Sequence, residues 1–166
     1  MKSGVTVTAD NVDSIIDALT RLSGMDVLVG IPEVNASRDD GQLNNAEIGY
    51  LQSTGATIEI DGAVVTLPPR PFLDIGIEDT RERTTAHLKA AAEFALDGDT
   101  AGAERELERS GIIASDGAKK VISDGDRLAP LSEKTLEKRR AKGLPGEKPL
   151  YAHGYLLRSI TYVVRK

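Results

Sequence analysis

Few residues in this sequence have the types and the spacing that catalysis or metal binding requires. The chain contains two histidines and no cysteine. His87 lies in a predicted helix, and the positions four residues before and after it hold Arg83 and Ala91, so no helical metal-binding pair is formed. We therefore interpret His87 as a solvent-facing side chain. His153 stands next to glycine in YAHGYLL, where a loop histidine bonded to the backbone is a simpler interpretation than a catalytic one.

Acidic residues form short groups that resemble parts of a calcium site. DGD triplets occur at 97–99 and 124–126, and an aspartate pair lies at 39–40. A calcium loop of the EF-hand type continues to a glutamate at its twelfth position, and neither triplet does so. Neither a phosphate-binding glycine pattern nor a nucleophile elbow is present. We predict no catalytic residue, metal, cofactor or small-molecule substrate, and we expect the protein not to be an enzyme.

The most concentrated charge lies near the C-terminus. The segment 134–148 holds six basic and two acidic residues, and Lys138, Arg139, Arg140 and Lys142 form its densest part. Such clusters bind phosphates, but interleaved aromatic residues for base stacking are missing. Three interpretations remain open: a solvated helix, a contact with another protein, and a nucleic-acid-binding regulatory protein that uses 134–148.

The charge of the whole chain is divided unevenly. Residues 127–166 carry 10 basic and 3 acidic side chains, whereas residues 1–126 carry 11 basic and 23 acidic ones. In one interpretation a basic tail folds back on an acidic body. In the other, the positive surface of one subunit meets the negative surface of its neighbour, as in a head-to-tail ring.

Length and composition predict one domain over residues 1–166. In its first third, GVTVTA and MDVLVGIP have strand patterns, and we expect the polar loop 33–43 to be mobile. Signal-peptide and membrane-spanning patterns are absent, and the lack of cysteine fits a reducing cytoplasm. A helix between the two strands should begin at Asp10, end at Gly24 and carry an apolar stripe of Val12, Ile15, Ile16, Leu19 and Leu22.

The middle of the chain contains the clearest local signals. Asn44 or Asn45 should cap a short helix that ends at Gly55. Two β-rich runs then flank Asp61–Gly62, a dipeptide suited to a type I′ turn, and predict a hairpin over 57–67.

Two long helices should follow and form an antiparallel hairpin. The first begins with Pro71 in its first turn and runs to Leu96; the second runs over 100–123, with the charged run ERELER on its solvated face. Their predicted apolar stripes are Ile77, Thr84, Leu88, Ala91 and Ala95, and Ala103, Leu107, Gly111, Ala114, Ala118 and Val121 or Ile122.

The last forty residues are broken by proline and glycine, and we expect 127–149 to be mobile. Within this stretch, Ser132 should cap a helix over 133–141. A helical turn in YAHGYLL and a final strand, SITYVVR, complete the predicted elements.

The sequence RPF at 70–72 joins the hairpin to the first long helix. Prolines at three of the four positions 68–71 fix the backbone φ angle there and set the angle between the two elements. Phe72 should lie between helix and sheet as a core residue, with an interface role as the alternative. Arg70 should pair with an acid, within the chain or across a subunit boundary.

Four stretches together resemble the tail-completion, or virion-morphogenesis, proteins of Mu-like and lambda-like tailed bacteriophages and prophages. The early strand VLVGIP and the short helix NNAEIGYLQSTGA are similar to the first two motifs of that family. The turn LPPRPFL resembles its Ile-Pro-x-Arg-Pro-Phe turn. The ending, from LAPLSEKTLEKRRAKG to KPLYAHGYLLRSITYVVR, resembles its conserved C-terminal pattern.

This resemblance implies an α+β fold, with long helices packed on a small antiparallel sheet and a β-hairpin. It also implies a non-enzymatic virion protein, assembled in the bacterial cytoplasm into a ring, typically hexameric, at the head-proximal end or neck of the tail. Such a ring completes the tail and allows head–tail joining. Its partners would be other copies, the tail tube or terminator and the head connector, with DNA near the lumen. The hypothetical interface residues are Arg70, Phe72, Lys138, Arg139, Arg140, Lys142 and Arg158.

Overall fold

The structure, a computed structural model, describes residues 11–39, 42–60, 62–144 and 146–165. It shows the α+β fold that the sequence predicts, with helices packed on small antiparallel sheets. In chain order the elements are α1 (Val12–Ser23), β1 (Asp26–Gly30), α2 (Glu33–Ala36), α3 (Asn45–Thr54), β2 (Ala56–Ile60), β3 (Ala63–Leu67), α4 (Phe72–Leu96), α5 (Thr100–Asp124), α6 (Glu133–Ala141), α7 (Tyr155–Ser159) and β4 (Thr161–Arg165).

The central unit is the antiparallel hairpin of α4 and α5, joined by 97–99. The side chain of Asp99 caps α5 by accepting a hydrogen bond from the Gly102 N–H at 2.8 Å. The two helices approach each other closely where Gly76 faces Gly117. Only glycine leaves room for such a contact between two helix backbones. The predicted helix hairpin is confirmed, and two glycines allow this close contact.

The small face of α5 is buried as predicted. Ala103, Leu107, Gly111, Ala114, Ala118, Val121 and Ile122 all lie in the interior. The corresponding prediction for α4 is partly wrong. Thr84 and Ala91 are buried as predicted, whereas Ile77 and Leu88 are exposed and Gly76 and Thr80 turn inward in their place. A closely packed pair of helices selects small side chains for its contact, so the two large members of the predicted stripe are excluded from it.

Both sheets contain two antiparallel strands. In the first, β1 pairs with β4 from Asp26 opposite Arg165 to Gly30 opposite Thr161. The first sheet packs on α5, where the Tyr162 ring lies over Gly111. In the second, β2 and β3 form the predicted hairpin. Position 61 of its turn lies outside the described residues, and Gly62 has the positive φ of 75° that the turn prediction requires.

Capping explains several helix boundaries. Asn44 caps α3 in a capping box: its side chain accepts from the Glu47 N–H at 3.0 Å, and Glu47 accepts from the Asn44 N–H at 2.8 Å. Ser132 caps α6, as predicted. Pro71 is the N-cap of α4, so the helix begins one residue later than predicted.

Other boundaries differ from the predictions. The segment predicted as loop 33–43 begins with the helical turn α2, and positions 40 and 41 lie outside the described residues. Gly24 ends α1 in a right-handed conformation. The first predicted strand and Asp10 also lie outside the described residues, and Asn11 occupies the N-cap position.

The hydrophobic core lies where α4, α5 and α7 meet. Its buried members are Phe72, Ala118, Val121, Ile122, Leu128, Leu156 and Ile160. Leu128, Leu156 and Ile160 come from the basic C-terminal quarter, so this quarter is part of the folded body. Among the described residues, no helix combines the length and the apolar character needed to cross a membrane.

Candidate functional site

The guanidinium of Arg70 is buried at the junction between the hairpin and α4, with only 4% of the residue exposed. Its Nε donates to the Ala129 carbonyl at 2.7 Å and its Nη2 to the Pro130 carbonyl at 2.9 Å. Its Nη1 donates to Gln52 Oε1 at 2.8 Å. The prediction that Arg70 pairs with an acid is therefore wrong within the chain. Its acceptors are backbone carbonyls, which carry no sequence signal.

Arg139 of α6 lies near Arg70 and also holds the backbone. Its Nη1 donates to the carbonyls of Gly146, Lys148 and Tyr151 at 3.1–3.4 Å. Burial, and then the positive charge of Arg139, lower the pKa of Arg70; burial lowers the pKa of Arg139. Two partly desolvated cations thus lie side by side.

A cavity of about 510 Å³ opens beside these two arginines. Its walls come from α3, β3, α6 and the segments around 130 and 150. Among the described residues, no aspartate or glutamate lines it. Ile48, Leu67, Leu150 and Leu156 supply apolar walls, with Ser132 and Thr135 adding hydroxyl groups.

The other hypothetical interface residues are found in different settings. Phe72 is fully buried in its own chain, as the core interpretation predicts, and so presents no surface to a partner. Arg140 pairs with Glu133 at 3.0 Å and with Glu147 at 3.6 Å. Arg158 lies over the ring of Tyr155, at 5.1 Å from its centroid.

Lys138 and Lys142 are exposed on or next to α6, and neither forms an ion pair with another described residue. Arg139 and Arg140, in contrast, are engaged within the chain. Only part of the predicted basic cluster is therefore available to a phosphate or a partner. Nucleic-acid binding by 134–148 stays a prediction.

Much of the basic C-terminal quarter folds back on the acidic body. Arg127 forms a bidentate pair with Asp79 of α4, and Arg165 pairs with Asp26 of the neighbouring strand. Lys148 Nζ donates to the Ser123 carbonyl at 2.5 Å. The sequence left two interpretations of the uneven charge: a basic tail folded back on an acidic body, and complementary surfaces of neighbouring subunits. These contacts within the chain agree with the first.

The charge cluster of His87, Glu106 and Arg109 was missed from the sequence. His87 Nδ1 lies 2.6 Å from Glu106 Oε2, and Arg109 Nη1 lies 2.5 Å from Glu106 Oε1. His87 is thus half-buried against α5, not solvent-facing. Glu106 is buried, although it belongs to the run ERELER that was assigned to solvent. Glu106 follows Ala103 of the predicted buried stripe by three residues, and residues three apart lie on the same face of a helix. This spacing was the signal in the sequence that Glu106 is buried.

This cluster predicts a specific dependence of stability on pH. The hydrogen bond from His87, followed by the charge of Arg109, holds the pKa of Glu106 below its ordinary 4.5, while burial opposes them. A lowered folded-state pKa stabilises the fold above pH 4.5, and this contribution is lost as pH falls toward the folded value. The variant Glu106→Gln should lower the stability at pH 7 and flatten its decline below pH 4.5.

The measurement is urea denaturation of both proteins between pH 7 and pH 3. Glu82→Gln, at an exposed position on α4, is the control and should follow the wild type. Equal stability of wild type and Glu106→Gln at pH 7 would contradict a stabilising role for the cluster.

Large hydrophobic side chains form a second unusual feature of the surface. Ile15, Ile16 and Leu19 of α1 are 45–53% exposed. The other face of α1, with Ser14, Ala18 and Arg21, borders a cleft against the connection between α4 and α5. Leu22, at the end of the predicted stripe, lines this cleft, whereas Ile15, Ile16 and Leu19 stay about half exposed.

The sheet of β1 and β4 repeats this feature. Leu28 and Val163 are cross-strand partners, and both are about half exposed. Among the described residues, 14 Leu, Ile, Val and Phe side chains are exposed, compared with seven that are buried. Contiguous exposed apolar patches, more than single exposed side chains, mark interaction sites.

In the part of the chain that the structure describes, no group of three or more His, Asp or Glu side chains is placed to hold a metal ion. Comparisons of the chain with protein-family models, with curated proteins and with solved structures return no match.

Proposed function

We propose that this chain is a non-enzymatic structural subunit of a phage or prophage virion, which forms a ring at the head-proximal end of the tail. The observation that carries the proposal is the exposed apolar stripe of α1, formed by Ile15, Ile16 and Leu19. An amphipathic helix gains most of its stability by burying such a stripe. Among the described residues this stripe stays about half exposed, and in the proposed ring another molecule would cover it.

The resemblance of the sequence to tail-completion proteins supports a second copy of the chain as that molecule. Ring assembly places the same surface of each subunit against a different surface of the next one. The exposed pair Leu28 and Val163 supplies a separate apolar patch in the same chain. Two distinct patches would allow one surface of a subunit to bind a different surface of the next, as in a closed ring. A two-fold dimer would instead pair one patch with itself.

Charge contributes less to the proposed contact than the sequence suggested. Arg127, Arg139, Arg140 and Arg165 are engaged within their own chain. Surface ion pairs are worth about 0–1 kcal/mol each, so the lysines that remain would orient subunits more than they would bind them. Apolar burial is therefore the main source of affinity, and assembly should persist at moderate salt concentration.

In the virion, the ring would complete the tail and allow it to join the DNA-filled head. Six copies, as in the family that the sequence resembles, would give a particle of six times the 17.7 kDa subunit mass. Its faces would meet the tail tube or terminator on one side and the head connector on the other. DNA would lie near the lumen.

Sedimentation velocity tests the role of the α1 stripe. Ile16→Glu places a charge in the middle of the stripe and should shift the protein from an oligomer to a 17.7 kDa monomer. Because Ile16 is already half exposed in the subunit, the variant should keep its helical circular dichroism spectrum.

Thr20→Glu is the matched control, since it adds the same charge to an exposed position of α1 outside the stripe. It should assemble like the wild type. An oligomer that survives Ile16→Glu unchanged, or a wild type that stays monomeric at every concentration, would contradict assembly through this stripe.

A further inference from the structure

The pair of arginines beside the 510 Å³ cavity carries positive charge that no described aspartate or glutamate of the cavity wall neutralises. Arg70 is nine-tenths buried, and its acceptors are two carbonyls and one amide oxygen. Buried charges in proteins are ordinarily paired, because desolvation of an unpaired ion is costly. A carboxylate at this position would remove that cost.

Donors remain for such a group. A guanidinium has five N–H donors, and three of those of Arg70 are taken by Ala129, Pro130 and Gln52. The backbone contacts of Arg139 use Nη1 alone; its Nε and Nη2 have no acceptor among the described residues. Arg139 can therefore present the two-pronged edge that binds a carboxylate in a bidentate manner.

The rest of the cavity indicates what the carboxylate is attached to. Ile48, Leu67, Leu150 and Leu156 give it aliphatic walls. Ligand pockets of 300–1,000 Å³ typically combine apolar walls with a few convergent polar groups. A fully hydrated anion such as phosphate would gain nothing from these walls, whereas an aliphatic side chain next to a carboxylate would be buried against them.

We propose that the Arg70–Arg139 cavity is a binding pocket for an acidic, aliphatic peptide segment of a partner protein. The carboxylate of the segment binds between the two guanidiniums, and a neighbouring aliphatic side chain packs on Leu67 and Leu156. The pocket is built within one copy of the chain, so its ligand binding can be measured whether or not rings form.

The test uses 4-methylpentanoate, a carboxylate with a leucine-like side chain, as the probe. Its neutral amide, 4-methylpentanamide, has the same shape without the charge, and inorganic phosphate has the charge without the aliphatic group. Each is titrated at constant ionic strength while the N–H resonances of the arginine Nε groups are followed by NMR. We expect the carboxylate to shift the Arg139 resonance saturably, in the millimolar range typical of so small a ligand.

Arg139→Gln, with binding followed at the Arg70 Nε resonance, should weaken carboxylate binding about tenfold or more, since it removes a bidentate partner. Arg140→Gln, at the adjacent exposed position, should leave it unchanged. The comparison of carboxylate and amide needs no variant and decides the case even if Arg139→Gln fails to fold. Equal binding of the amide, stronger binding of phosphate, or no saturable shift with the carboxylate would each overturn the proposal.

Discussion

Replacing Phe72 with alanine is expected to lower the free energy of unfolding by about 4 kcal/mol, the usual cost of removing a buried aromatic ring. Phe72 is fully buried and packs in the core with Ile122, Leu156 and Ile160. For a chain of this length, the change should lower the melting temperature by about 12 °C. Urea and thermal denaturation followed by circular dichroism measure both quantities.

Phe94 provides a matched control, because it is the other phenylalanine of the chain and lies on the same helix. It is 37% exposed, so Phe94→Ala should cost about 1 kcal/mol. Similar losses for the two variants would contradict the placement of Phe72 in the core. They would favour the alternative in which its ring serves a subunit contact.

The contact of the two long helices gives the second large effect. A methyl group added at Gly76 would lie 2.6 Å from the carbonyl carbon of Gly117, and closer still to backbone atoms of Ala118. Helix backbone cannot move aside as a flexible side chain can. Although alanine is about 1 kcal/mol better than glycine in a helix, overpacking costs about 1–3 kcal/mol or more. We expect Gly76→Leu to destabilise the protein by at least about 3 kcal/mol, and Gly76→Ala by less.

Gly30 is the control position for this experiment. A methyl group there would meet no atom within 4 Å, so Gly30→Ala should change the stability by less than about 1 kcal/mol. If Gly76→Leu were as stable as the wild type, the two helices would have to be farther apart than the structure places them.

The sequence was sufficient to predict elements whose signals are local. Three of them depend on a few neighbouring side chains and are confirmed: the helix cap predicted at Asn44 or Asn45, which is Asn44, the hairpin strands of 57–67, and the cap at Ser132. The prediction of the buried stripe on α5 is also confirmed, because small and apolar residues recur at helical spacing over the whole helix. The α+β fold was implied by the family resemblance, and the structure shows it.

Contacts between distant segments could not be predicted in the same way. Arg70 lies 59 residues from the Ala129 carbonyl that it binds, and a carbonyl has no residue type to identify it. The pairing of His87 with Glu106 depends on the register of α4 against α5, which Gly76 and Gly117 determine. Charge patterns alone suggested an acidic partner for Arg70 that is absent among the described residues, and they assigned the buried Glu106 to solvent.

Electron microscopy of virus particles released by cells whose genome encodes this chain, with the chain carrying an epitope tag for gold labelling, tests the proposed function most directly. A ring subunit of the neck predicts one cluster of label at the junction of head and tail. Label on the capsid surface or at the far end of the tail, or particles that lack the tagged chain, would contradict it.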